Sequence, residues 1–204
     1  MVGNDATRLA LKTEFFRRVE ALGPQQALFP SRNEPVDENV LRLEAVNPIP
    51  QPLRLDHLPS LLGNWQLVYA SSGTVVTRWL SEIPGWEEGI KIKYVWQTLT
   101  AGSNEKIAVE NGAVIDFLLL GESQLRTQGV WTWGTNEQVA KVVFSAFSFQ
   151  ATKLFGQESW SFPELKIPVL EFLRNEALWT TSYLDQEIRV GRGATGNLFV
   201  FRRA

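Results

Sequence analysis

Apolar residues in the N-terminal part of the chain recur at helical spacing. The spacing predicts an amphipathic helix over residues 8–22, which Gly23-Pro24 ends, and a second short helix from residue 36 to about residue 45. The proline-rich segment 47–52 then stops helical structure, because proline cannot donate the backbone hydrogen bond that a helix needs. We therefore expect a helical N-terminal segment over residues 1–46.

From about residue 63 the period changes from helical to alternating, which is typical of strands. Trp65, Leu67 and Tyr69 fall on one face of the first predicted strand. Further strands are predicted over residues 74–80, 90–99, 106–110, 113–120, 127–133, 139–149, 178–184, 187–191 and 197–202. Asn111-Gly112 predicts a hairpin turn between two of them, because both residues tolerate positive φ.

Many short strands without alternating helices favour a mainly β fold, either an antiparallel barrel or a sandwich. We favour a barrel over residues 61–204, within a single domain that spans residues 1–204. An eight-stranded barrel is about the size at which the interior is either filled by side chains or leaves room for one small ligand. The least regular segment, residues 160–174, is expected to cross one end of the barrel.

Composition narrows the classes of partner. The 204 residues include eight Trp and twelve Phe, which suit either a tight core or a cavity for a greasy ligand. A formal net charge of −2 gives no reason to expect a nucleic acid partner. With no Cys and one His, no metal site or cofactor is predicted.

Targeting signals are not evident at the N-terminus, which shows neither a secretory signal nor a Ser/Arg-rich transit peptide. No segment approaches the roughly 20 apolar residues that a membrane-spanning helix requires. We expect any membrane contact to be peripheral.

Two motifs that could suggest chemistry have structural interpretations. Gly191-Arg192-Gly193-Ala194-Thr195-Gly196 matches the dinucleotide-binding string, but a strand rather than a helix follows it, so we expect a glycine-rich turn. His57 lacks the partners of a catalytic set and is expected to be structural or exposed. Alternation places Asp185 on the same face as Arg189, which favours an ion pair between them over a ligand contact. No catalytic residue is predicted.

Two blocks of sequence carry a resemblance to a known family. The first is Asn47-Pro48-Ile49-Pro50-Gln51-Pro52 followed by Leu61-Leu62-Gly63-Asn64-Trp65-Gln66-Leu67-Val68-Tyr69-Ala70-Ser71. The second is Trp179, then Tyr183-Leu184-Asp185-Gln186-Glu187-Ile188-Arg189-Val190-Gly191-Arg192-Gly193 and Phe199-Val200-Phe201. Both resemble the opening and closing patterns of the plastid lipid-associated proteins, also called fibrillins. Gln186 and Ala194 depart from the acidic residues that the family often has, which makes an anionic role of that turn doubtful.

The resemblance implies a lipocalin-like barrel. Gly63-Asn64-Trp65 is similar to the G-x-W of lipocalins, in which an arginine of the last strand covers the tryptophan, and Arg202 or Arg203 is placed to do so. The absent transit peptide favours a cyanobacterial-type member or a mature plant chain. The expected location is accordingly the cytoplasm or the thylakoid surface, or the plastid for a plant chain.

The family's association with thylakoids, lipid globules and photoprotection implies a non-catalytic binder of an isoprenoid quinone, a carotenoid or another lipid. The expected ligand-binding residues are Trp65, Leu67, Tyr69, Arg78, Trp96, Trp131, Trp133, Phe147, Phe149, Tyr183 and Arg189, with the two arginines facing a polar head group. Equally, these aromatic residues could form a dry core. Two alternatives stay open: a scaffold or coat that contacts a membrane or a quinone-synthesis enzyme through its N-terminal helix or Trp86, and a lipocalin-like lyase or isomerase.

Overall fold

A computed structural model describes residues 2–29, 33–103, 106–118, 121–134, 136–152, 165–167 and 177–204. Within these ranges the helices are α1 Val2–Leu28, α2 Glu34–Glu44, α3 Leu58–Leu61, α4 Val75–Ser81 and α5 Trp86–Gly89. The strands are β1 Gly63–Ala70, β2 Ile90–Ala101, β3 Ile107–Phe117, β4 Gly121–Thr132, β5 Val139–Ala151, β6 Leu165–Ile167, β7 Ala177–Leu184, β8 Ile188–Gly193 and β9 Leu198–Arg203. The segment predicted to cross one end of the barrel, residues 160–174, lies outside the described residues except for β6.

Eight of these strands close into an antiparallel ring. Their order is β4-β3-β2-β1-β9-β8-β7-β5, and β4 also pairs with β5. The short strand β6 is added to β5. The predicted mainly β barrel with N-terminal helices is confirmed.

Both predicted N-terminal helices are present: α2 lies within two residues of its predicted bounds, whereas α1 starts at Val2 rather than at residue 8 and continues past residue 22 to Leu28. Gly23, at φ 70°, breaks α1 at the predicted stop, and a further helical turn follows before Leu28. In that turn the Gln25 amide donates to the carbonyl of Ile90 and accepts from the amide of Ile92, which ties the helix to β2. At the start of α2 the side chain of Asn33 accepts from a free amide of the first turn.

The helices pack on the outer face of the barrel, where they form a second apolar core. Phe15, Val40 and Leu43 contribute from the helices and are fully buried. They pack against outward-facing side chains of β1, β7, β8 and β9, namely Tyr69, Tyr183, Ile188, Val190, Leu198 and Val200. The barrel wall therefore has an apolar layer on both sides along these strands.

The predicted hairpin at Asn111-Gly112 is wrong. Both residues lie inside β3, which pairs without interruption with β4 and pairs with the whole of β2, with one register shift between Ile92 and Tyr94. A side chain at Gly112 would meet the ring of Trp96 on the neighbouring strand, 2.1 Å from Cζ2. This glycine thus makes room for an aromatic ring, a role that the sequence does not distinguish from that of a turn.

The predicted strand over residues 74–80 is also wrong, because this stretch forms α4. The Thr74 hydroxyl accepts from the amide of Thr77, and the Thr77 hydroxyl accepts from the amide of Thr74. This reciprocal cap satisfies amides that the first helical turn leaves free. This cap and the packing of Val76 against the core override the strand preference of the sequence.

Within the described ranges, none of the helices combines the length and the apolar character that crossing a membrane would require.

Candidate functional site

The barrel contains a cavity of about 420 Å³. It extends to α4 and to the turn between β8 and β9. Its wall is mostly apolar and includes Leu67, Ile92, Val95, Leu125, Phe144 and Phe199. Among the described residues that line it, Arg78 has the sole ionisable side chain. Such a wall favours an apolar ligand that is bound mainly because its surface is buried.

Five of the eleven predicted ligand-binding residues line this cavity: Leu67, Arg78, Trp96, Trp131 and Phe147. Arg78 lies on α4 rather than on a strand, and its side chain is exposed. Trp131 is fully buried, whereas Trp96 and Phe147 are half-buried.

Tyr69 and Tyr183 point away from the cavity. Each follows a bulge, between Leu67 and Tyr69 on β1 and between Thr181 and Tyr183 on β7. An extra residue shifts the alternation by one, so the tyrosine turns to the helix layer while Leu67 faces inward. Tyr69 donates to Asp37 and Tyr183 to Asp185, each at 2.7 Å, and burial followed by these hydrogen bonds raises the pKa of both phenols.

Trp133 and Phe149 lie next to the cavity without lining it in the described part of the chain. Trp133 is half-buried and packs against the core inside the barrel. Phe149 is opposite Leu125 in the pairing of β4 and β5.

Trp65 lies in the core inside the barrel, between two guanidinium groups. Its ring is fully buried, and its Nε1 donates to the carbonyl of Leu61 at 2.9 Å. Arg203 lies 4.1 Å from the ring centroid and Arg189 lies 5.0 Å from it. Arg203 also donates to the carbonyls of Leu62 and Gln186. The expected cover by an arginine of the last strand is therefore confirmed for Arg203.

Arg202 has another role. Its guanidinium lies 4.8 Å from the ring centroid of Phe16 on α1, on the outer side of the barrel.

Arg189 is a fully buried cation inside the barrel. Its guanidinium lies 4.3 Å from the ring centroid of Phe201 and 5.8 Å from that of Trp131, and its Nη2 donates to the side-chain oxygen of Gln97 at 2.6 Å. Its Nε and Nη1 have no hydrogen-bond partner within the described residues. Burial, together with the charge of Arg203, lowers the pKa of Arg189 to about 9. The group is still protonated at neutral pH, and the aromatic faces partly offset its desolvation.

The predicted ion pair between Asp185 and Arg189 is wrong, because the two side chains lie on opposite sides of the barrel wall. Asp185 closes the turn between β7 and β8 by accepting from the amides of Glu187 and Ile188, and it pairs with Lys12 of α1. Burial alone would raise the pKa of Asp185, but the hydrogen bonds outweigh it and hold this pKa below 3.8.

The sequence did not reveal a polar row across the barrel wall. Gln97, Asn111 and Thr127 are directly opposite one another on β2, β3 and β4, and all three line the cavity. The Gln97 amide donates to the side-chain oxygen of Asn111 at 2.6 Å. The alternation of Asn111 with Val109 and Ala113 could have indicated an inward amide, but the Asn-Gly pair predicted a turn.

The proline-rich motif fastens the chain to the barrel. The Asn47 side chain accepts from the amides of Ile49 and Leu184 and donates to the carbonyl of Ser182. The Gln138 amide donates to the carbonyl of Pro50 at 2.5 Å. The motif residues thus have a structural role at this position.

The histidine and the glycine-rich string, which could suggest chemistry, have structural roles. The Nδ1 of His57 lies 2.7 Å from the carbonyl oxygen of Gln51, to which it donates. The predicted glycine-rich turn is confirmed only for the second half of the string, residues 194–196, which lie between β8 and β9. Gly191 and Gly193 belong to β8 itself. In the described parts of the chain, no three His, Cys, Asp or Glu residues come together in a group that could hold a metal ion.

Comparison with models of protein families identifies a family to which the chain is similar. The PAP_fibrillin family model matches residues 25–202, which include both blocks of sequence that carried the resemblance. No curated protein matches the chain.

Proposed function

The chain belongs to the PAP_fibrillin family, and from this membership we propose that its barrel carries an isoprenoid quinone, a carotenoid or a similar lipid in a non-catalytic role. Membership fits a lipid-associated protein. The identity of the cargo and the carrier role are the proposed part.

The observation that carries the proposal is the apolar cavity inside the barrel. Its volume of about 420 Å³ falls within the roughly 300–1,000 Å³ of small-molecule sites. An apolar ligand gains roughly 25 cal/mol for each Å² of surface that it removes from water. A ring with part of a prenyl chain suits such a wall, and Trp131 and Trp179 supply aromatic surface for it.

The cavity wall also supports binding over catalysis. Acid–base catalysis needs a titratable group within hydrogen-bond reach of the substrate. The ionisable side chain on the described wall is that of Arg78, a guanidinium that donates hydrogen bonds and has no acceptor atom with which to take up a substrate proton. The tyrosines with raised pKa values face the helix layer instead.

We further propose that the protein acts at the surface of thylakoids or lipid globules, in photoprotection or lipid storage. For a cyanobacterial-type member the proposed location includes the cytoplasm, and for a plant protein it is the plastid. Contact with the membrane would be peripheral. A protein partner such as a quinone-synthesis enzyme is compatible with this role.

The test is to purify the protein from a phototrophic host and to analyse its organic extract by mass spectrometry. In parallel, plastoquinone and a carotenoid are titrated while Trp fluorescence is recorded. A stoichiometric lipid with saturable quenching is the expected result, because Trp131 and Trp179 line the cavity. An empty protein without quenching would overturn the carrier proposal and favour the scaffold.

A further inference from the structure

The polar row inside the barrel has a fixed hydrogen-bond direction. A guanidinium can only donate, so the atom of Gln97 that faces Arg189 at 2.6 Å must be its side-chain oxygen. The amide nitrogen of Gln97 then faces Asn111 at 2.6 Å, and the atom of Asn111 that accepts must be its oxygen. The NH₂ group of Asn111 is therefore left as a donor at the end of a chain that begins at a buried cation.

The end of this chain lies in the cavity wall. Asn111 is half-buried and lines the cavity, and within the described residues its side chain has one hydrogen bond, the one that its oxygen accepts from Gln97. Thr127, directly opposite on β4, also lines the cavity, and its buried hydroxyl has no partner in the described part of the chain. The same holds for Nε1 of Trp179 on β7, which can only donate. The wall thus carries several donors that lack acceptors.

A buried donor without an acceptor, such as the Thr127 hydroxyl or Nε1 of Trp179, costs free energy that a ligand acceptor can recover. We propose that the cavity selects isoprenoids that carry a carbonyl oxygen, such as a quinone in its oxidised form, and that this oxygen accepts hydrogen bonds from Asn111 and Thr127. This inference rests on the proposed carrier function and adds the chemistry of the ligand's polar end. Asn111 and Thr127 are binding residues in it, and Gln97 and Arg189 are positioning residues.

The alternatives to a carbonyl fit the wall less well. A hydrocarbon leaves the donors unpaired. A carboxylate would lose its hydration without gaining a direct contact to Arg189. Aromatic rings cover this guanidinium, and it is not among the described residues that line the cavity.

The test compares two probes of the same shape, a dimethylbenzoquinone and a dimethylbenzene with the same ten-carbon tail. Their dissociation constants are measured by equilibrium dialysis, with the free probe quantified by mass spectrometry. We expect the quinone to bind roughly tenfold more tightly, as one or two hydrogen bonds would give. Equal affinities would overturn the inference and leave the carrier function standing, whereas no binding of either probe would overturn both.

Variants assign the preference to the donors. We expect Asn111→Leu and Thr127→Val each to weaken quinone binding roughly fivefold and to leave binding of the dimethylbenzene unchanged. Thr98→Val is the matched control, because the Thr98 hydroxyl lies on the exposed outer face and donates to Asn64. The assignment would be overturned if both Asn111→Leu and Thr127→Val still preferred the quinone. It would also be overturned if Thr98→Val weakened quinone binding as much as they do. Valine has nearly the same shape as threonine, so Thr127→Val can test the proposal by itself if Asn111→Leu folds poorly.

Discussion

The ring of Trp179 lies directly over the backbone of Gly191, where a side chain would otherwise be. A Cβ atom at residue 191 would lie 1.8 Å from Cζ2 of this ring. The ring also contacts Phe199 and Phe201, with centroid distances of 5.4 Å and 6.1 Å, so it cannot move freely. A glycine of the apparent dinucleotide-binding string therefore serves packing inside the barrel.

We expect Gly191→Ala to lower the free energy of unfolding by about 1–3 kcal/mol, the usual cost of overpacking a core. Urea denaturation followed by Trp fluorescence measures this loss. Gly193→Ala is the control on the same strand, because its added Cβ would lie an ordinary 3.6 Å from Phe199. Equal effects of the two substitutions would contradict the packing role.

The contact between Arg203 and Trp65 gives a second prediction. The guanidinium combines a cation–π contact at 4.1 Å with hydrogen bonds to three carbonyls, those of Ser60, Leu62 and Gln186. Lysine keeps the charge but loses the planar set of donors. We expect Arg203→Lys to cost about 1–3 kcal/mol, measured by denaturant unfolding.

Arg202→Lys is the neighbouring control for this experiment. Arg202 is exposed and contacts Phe16 at 4.8 Å and Glu187 at 3.7 Å. An exposed pair of this kind contributes at most about 1 kcal/mol. If the control lost as much stability as Arg203→Lys, the cover over Trp65 would not be the important contact.

Asp185 predicts a dependence of stability on pH. Its pKa is lowered in the folded state, so ionised Asp185 stabilises the fold above the unfolded pKa of about 3.8, and this stabilisation is lost as the pH falls through the folded pKa. Asp185→Asn keeps an oxygen for the turn amides but removes the charge that faces Lys12. We expect the variant to be less stable by about 1–2 kcal/mol at pH 7.

The difference between Asp185→Asn and the wild type should shrink below about pH 4, as the wild-type carboxyl takes up its proton. Urea unfolding at a series of pH values measures it. A difference that stayed constant down to pH 2 would show that the charge of Asp185 does not contribute. The adjacent Gln186, which is exposed, offers Gln186→Asn as a control without a change of charge.

Filling the cavity should separate a carrier from a protein with a dry core. Ala113 is buried, lies on β3 and lines the cavity. We expect Ala113→Phe to reduce lipid binding at least tenfold by occupying the volume that the ligand needs, and to leave the circular dichroism of the barrel unchanged. Ala108→Phe places the same ring on the exposed face of the same strand as a control. Undiminished binding by Ala113→Phe would show that the lipid binds elsewhere.

Much of the fold could be predicted from periodicity. The alternation from Trp65 onward predicted the barrel, and the helical spacing before it predicted α1 and α2, because these periods follow from local backbone geometry. The motif around Trp65 also led to its cover by Arg203. The faces assigned within a strand were less secure, since Tyr69 and Tyr183 both turn outward after a bulge.

The sequence by itself determined the class of fold and the family, because each depends on patterns along the chain. Tertiary structure alone decided which glycine is a turn and which makes room for a ring, as at Gly112 and Gly191. It also decided that Arg189 contacts Gln97 rather than Asp185. A shift of one residue in strand register moves a side chain from one face of the barrel wall to the other, and the sequence does not give the register. Contacts between residues 92 positions apart leave no local signature, so the polar row and its free donors emerge only when the barrel closes.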